Sequence, residues 1–197
     1  MKITLSPTAF LLFSLVAAVG CTSVNIQRYD MSGDNIAELR RLHQPSLTQL
    51  RVGKFTSYKP ENKSVRCRMY GPIQMPAGQS FESYIQSALI SELKDAGLYS
   101  ESAQTELNGH LEMVDLNTGE ISGGSMVPGS AWWLIKVKFT MAGDDDSFTV
   151  EDRYRFLPAF GANEACLQAA QLFVPAVQDF LRQLFNHSGF RKGIQAN

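Results

Sequence analysis

The chain holds little that would advertise chemistry. It carries no nucleophile elbow, no glycine-rich phosphate loop following a strand and no zinc-binding helix motif. Its three histidines, His43, His110 and His187, are scattered without the spacing of metal ligands, and three cysteines do not complete a zinc set. Charge of neither sign is in excess, with 18 Lys and Arg against 19 Asp and Glu and a formal net charge of -1. That balance gives nucleic acid no basic surface to bind, and anionic lipid none either. Long apolar runs are also missing: Thr8 to Val19 is the longest candidate, and a spanning helix needs roughly 20 apolar residues. No cofactor is expected.

What is present begins at the N-terminus. Lys2 supplies a positive charge, the apolar stretch follows, and Gly20 offers a protease a residue without a side chain, which is the layout of a secretory signal over residues 1–20. Ala18-Val19-Gly20-Cys21 resembles the lipobox of bacterial lipoproteins, although Ala18 stands where that family usually has Leu. The resemblance implies cleavage before Cys21, acylation of its thiol and anchoring by more than one chain, since a single chain is marginal. Thr22, rather than Asp, implies export to the outer membrane, with the mature protein facing the periplasm.

About 177 residues follow the signal, enough for one domain. Residues 21–46 are polar, carry turn chemistry in "YDMSGDN" and "LHQPS", and read as a tether with a short helix near Asn35 to Leu42. The folded domain is then expected over residues 47–190. Period-2 alternation marks "LTQLRVGKFTSY" and "SVRCRMYGPI" as strands, the second with Val65, Cys67 and Met69 pointing inward. From Phe81 to Ala96 the apolar spacing becomes helical, with Ser80 as N-cap and Gly97 as stop, while Glu82, Gln86, Glu92 and Lys94 fall off the apolar stripe. "ELNGHLEMVDLN", "WWLIKVKFTMAG" and "DSFTVEDRYRF" read as further strands. Asp144 to Asp146 fit a hairpin turn better than a calcium loop. A last helix over Asn163 to Phe185, capped by Asn163, presents Leu167, Ala170, Val174, Val177, Leu181 and Leu184, and Pro175 should kink or restart it near Val174.

The order β-β-α-β-β-β-α with two one-faced helices predicts an α+β, two-layer sandwich, a mostly antiparallel sheet with both helices on one face. In an oxidising compartment Cys67 and Cys166 are either a disulfide or two buried thiols, and the disulfide is the expectation. From about Leu50 to Phe185 the chain resembles small outer-membrane lipoproteins of the YajG type and, more distantly, auxiliary lipoproteins of envelope ABC transport systems. The resemblance rests on the lipobox, "LRVGKF", "FESYIQSALISELKDAGLY", the strands around "LNGHLEMVDL" and "WWLIKVKFTM", and "AFGANEACLQAAQLFVPAVQDFLRQLF". It implies a sandwich without catalytic machinery.

Two functions follow as expectations: a non-enzymatic accessory protein that docks onto another envelope protein, and, as the alternative, a carrier of lipid or another apolar ligand. His110, Glu112 and Asp115 on one strand are expected to be solvated rather than an acid/base set. Phase places Trp133, Ile135, Val137 and Phe139 in the core, and Trp132 and Leu134 on the outer face. Beside the "SGGSMVPGS" loop with Met126 and Val127, those two would form an apolar partner-binding patch.

Overall fold

A computed structural model describes residues 23–42, 49–59, 62–67, 71–118, 130–141 and 147–195. Their strands are β1 (Val24–Asn25), β2 (Leu50–Val52), β3 (Thr56–Ser57), β4 (Ser64–Cys67), β5 (Gly71–Gln74), β6 (Thr105–Asn117), β7 (Ala131–Met141) and β8 (Ser147–Phe156). Their helices are α1 (Gly33–Leu42), α2 (Phe81–Asp95), α3 (Ala162–Gln171), α4 (Phe173–Asn186) and α5 (Ser188–Gln195). The architecture is α+β, with two sheets and helices packed against them.

The larger sheet runs β2-β6-β7-β8, with β3 also paired to β6. Its long ladders, β6 with β7 and β7 with β8, are antiparallel, whereas β2 and β3 add short parallel pairings. Along β7 the alternation works as the side-chain period demands. Trp133, Ile135, Val137 and Phe139 are all buried on the face toward the helices. The Trp133 ring meets Phe173 of α4 edge-on at 4.8 Å and its Nε1 donates to the Ala169 carbonyl at 2.9 Å, so the one polar atom of the ring is satisfied. A stack of Phe139 and Phe180 at 6.3 Å continues the contact along α4. On β6, Gly109 leaves room for the Phe55 ring, which would lie 2.7 Å from any Cβ there.

Both ends of α2 follow its sequence signals. The Ser80 hydroxyl accepts from the Ser83 N–H at 3.4 Å, and the Ser83 hydroxyl accepts in return from the Ser80 N–H at 2.9 Å. At the other end Gly97 adopts φ +78, its N–H donates to the Lys94 carbonyl and that of Leu98 to Leu93, closing the last turn in the left-handed form that glycine favours.

Several expectations need correction. The segment 21–46 is not a free tether over its described part: β1 pairs with β5, and α1 packs on α2 and α4, burying Ile36 and Leu39. A polar composition misled here because this segment needs few apolar side chains to cover an already built core. By the same token α2 is covered on a second face, and Glu82 and Glu92, read as off the apolar stripe, are buried.

"SVRCRMYGPI" is not one strand but two, since β4 and β5 pair antiparallel with Cys67 opposite Gly71. Gly71 has φ +142, a backbone state open to a residue without Cβ. The last helix does restart near Val174, as Pro175 predicts: α3 ends at Gln171 and α4 begins at Phe173, which leaves Pro175 in the first turn of α4, where its missing N–H costs least. The buried stripe of α3, Ala165, Cys166, Ala169 and Ala170, continues into Phe173, Val174 and Val177 of α4, and Leu167 lies just off it, turned outward. Finally, Asn163 lies inside the first turn of α3, and Gly161 takes the N-cap position.

Candidate interaction site

The smaller sheet, ordered β1-β5-β4, carries Cys67 at the end of β4. Cys67 and Cys166 are joined in a disulfide, with Cα atoms 5.9 Å apart and a sequence separation of 99. Both are buried, and the bond fastens α3 to the small sheet. β1 packs beside α3 as well. The N-terminal strand and the start of the C-terminal helical region therefore share one corner of the fold.

The expected patch around β7 takes a different form. Leu134 is buried, at 7% exposure, and is not part of an open surface. It lies in register between Asp115 on β6 and Arg153 on β8, and the Arg153 guanidinium sits 4.9 Å from the centre of the Trp132 ring. A long basic stem thus spans the strip that strand phase alone left bare. Trp132 is half-buried beneath that cation, an arrangement stabilised by the ring's negative face. Met126 and Val127 lie outside the described residues, as does Cys21.

His110, Glu112 and Asp115 do not converge. His110 Nδ1 bonds the Thr56 hydroxyl at 2.8 Å, Glu112 faces Lys136 at 3.6 Å, and Asp115 accepts from the Leu116 N–H at 2.9 Å. A register shift between Leu111 and Met113 further separates them. Lys136 is shared with Glu151 at 3.6 Å, so this wet face is held by ordinary ion pairs.

A buried polar cluster instead forms where the N-terminal segment crosses α2. Glu92 Oε1 accepts from the Tyr29 hydroxyl, from the Ser32 N–H at 3.1 Å and from Asn35 Nδ2 at 3.3 Å. Asn35 Nδ2 also reaches the Gln178 carbonyl on α4 at 2.9 Å, and Gln178 Nε2 reaches the Asp30 carbonyl at 2.8 Å. Burial pushes the Glu92 carboxyl above its usual range, opposed by those three hydrogen bonds. Burial and the adjacent Glu92 likewise hold the Tyr29 phenol in its protonated form. The cluster works as a clasp that fixes residues 29–35 across α2 and α4. Among the described residues no group of His, Cys, Asp and Glu is placed to hold a metal.

Sequence reasoning missed the most exposed apolar feature among the described residues. Leu157 and Phe160, in the connection between β8 and α3, are 78% and 81% exposed, and Leu167 on α3 is 42% exposed. The connection is pinned to α3 by one side chain: Gln168 Nε2 donates to the Leu157 carbonyl at 3.0 Å, and Gln168 Oε1 accepts from the Ala159 N–H at 2.6 Å. "FLPAFG" was the available signal, an apolar run interrupted by Pro and closed by Gly, where neither strand nor helix periodicity continues.

No family model matches the chain, and no curated protein matches it. Among solved structures, it is similar to the crystal structure of protein XCC0632 from Xanthomonas campestris, described with the DUF330 family model. That match has 12% identity and a TM-score of 0.48, covering 89% of this chain and 96% of the other. A second, a crystal structure of an uncharacterized protein, has 10% identity and a TM-score of 0.42, covering 83% and 99%.

Proposed function

We propose that the protein is a non-enzymatic accessory lipoprotein of an envelope complex, acylated at Cys21, held at the outer membrane and facing the periplasm. The observation that carries the reading is the Cys67–Cys166 disulfide, buried within the fold, which suits a chain exported to an oxidising compartment. The lipobox-like run ending at Cys21 supplies the anchor. An accessory role, rather than catalysis, is supported by how the acids are used. Glu92 clasps the N-terminal segment, and Glu112 and Glu151 pair with Lys136. The space between helices and sheet is occupied by Trp133, Phe139, Phe173 and Phe180, which leaves the carrier reading without a supporting observation.

Crosslinking in intact cells followed by mass spectrometry of the captured species tests the role. A specific envelope protein, captured by the wild-type chain and lost in Cys21→Ser, is the expected result. Copurified lipid in native mass spectra, with no protein adduct, would favour a carrier.

A further inference from the structure

We propose that Leu157, Phe160 and Leu167 form a second membrane contact, a fixed apolar foot that dips into the lipid surface beside the anchor. The inference rests on acylation of Cys21, and its geometry comes from the start of the fold. Only two residues, Thr22 and Ser23, separate Cys21 from Val24, a span of at most about 10–11 Å even when fully extended. An anchor at Cys21 therefore holds the domain against the membrane instead of on a long leash.

Strand direction says which corner of the domain faces the lipid. β1 is parallel to β5, with Val24 opposite Ile73, so its N-terminal side points toward the Gly71 end of β5. Gly71 pairs with Cys67, Cys67 is bonded to Cys166, and Leu167 is the next residue. Gln168 then ties the backbone of Leu157 and Ala159 to the same helix. Each link is short, and together they set the apolar foot at the corner where the chain arrives from Cys21.

Its chemistry suits lipid. Leu157 and Phe160 project from a connection whose Pro158 is buried and whose backbone is already held by Gln168, so little ordering entropy is lost on insertion. Two large apolar side chains exposed together at a held loop tip mark an interaction site. An interfacial site gains from both.

Site-specific photocrosslinking in the native envelope tests the proposal, using the full chain with Phe160→p-benzoylphenylalanine and, as control, Gln195→p-benzoylphenylalanine. Gln195 is exposed at the end of α5, and α5 meets Phe148 and Met141, at the end of β7 and β8 away from Leu157. The ten residues of β8 place those ends about 30 Å apart. Irradiation should give an adduct carrying the mass of a phospholipid at position 160 and none at position 195. Acylated, membrane-bound protein that forms only protein adducts at position 160, or lipid adducts equally at both positions, would overturn the foot while leaving the anchor standing. Absence of acyl modification at Cys21 would overturn both. Non-reducing mobility and the melting temperature of each variant, expected to match wild type, establish that the disulfide and fold are retained.

Discussion

Replacing Glu92 tests whether the N-terminal segment is fastened by one buried carboxylate. In Glu92→Ala, the Tyr29 hydroxyl, the Ser32 N–H and one Asn35 donor lose their shared acceptor, while Asn35 keeps the Gln178 carbonyl. A buried donor left unsatisfied costs about 1–3 kcal/mol, and partial rehydration of the Tyr29 end reduces the sum, so a net loss of about 2–4 kcal/mol is expected. That is a large share of a typical stability of about 5–15 kcal/mol. Glu92→Gln keeps an accepting oxygen without the charge, and should behave differently. The folded carboxyl takes up its proton at higher pH than the unfolded one, because burial disfavours the anion. Its contribution to stability therefore grows as pH falls from neutrality through the folded value toward the ordinary value of 4.5, and is smallest at alkaline pH. Chemical denaturation of wild type and both variants at about pH 8 and about pH 5 separates these effects. Glu92→Gln should gain on wild type most at the higher pH. A Glu92→Ala protein with wild-type stability, or a wild-type minus Gln difference that does not change with pH, would refute the clasp.

Asp152 has the same sign: burial and then the neighbouring Asp179 push its carboxyl from 3.8 up to about 6, partly opposed by a hydrogen bond from the Arg153 backbone and then by Arg182. Asp152→Asn should stabilise the fold above about pH 6 by no more than about 1 kcal/mol, given its partial solvent access, with the gain gone below about pH 4 in pH-dependent melts. Joint replacement of Cys67 and Cys166 by Ala should cost about 2–4 kcal/mol by denaturant titration, because the bond closes a 99-residue loop, and reductant should then shift only the wild type. Trp133→Ala should lose about 3–5 kcal/mol as a core truncation. Trp132→Ala, which gives up mainly the Arg153 contact, should lose about 1 kcal/mol, and thermal melts of the two check the strand phase.

Legibility followed physical locality. Ser80, Ser83 and Gly97 announce α2 because caps are made within four residues, and Trp133 to Phe139 announce an inner face because strand period is local. Cys67 and Cys166 were paired from compartment and inward phase, without knowledge that "SVRCRMYGPI" folds back on itself. What stayed hidden depends on distant partners. Glu92 is buried where residues 29–35 cross α2, and Leu134 is buried on a face where its register partner, Arg153, comes from a different strand. Leu167 stands at the border of the buried stripe of α3, where helical spacing alone does not decide which way it turns. The apolar foot has no periodicity at all, so pattern reading passed over Leu157 and Phe160.

The mass of the N-terminal peptide of the mature protein, isolated from the envelope fraction of its native host, tests the central claim most directly. A peptide beginning at Cys21, with residues 1–20 gone and the cysteine carrying acyl chains on its thiol-linked glycerol and its amine, is the predicted result. A mature chain beginning elsewhere, or Cys21 recovered with an unmodified thiol, would contradict it.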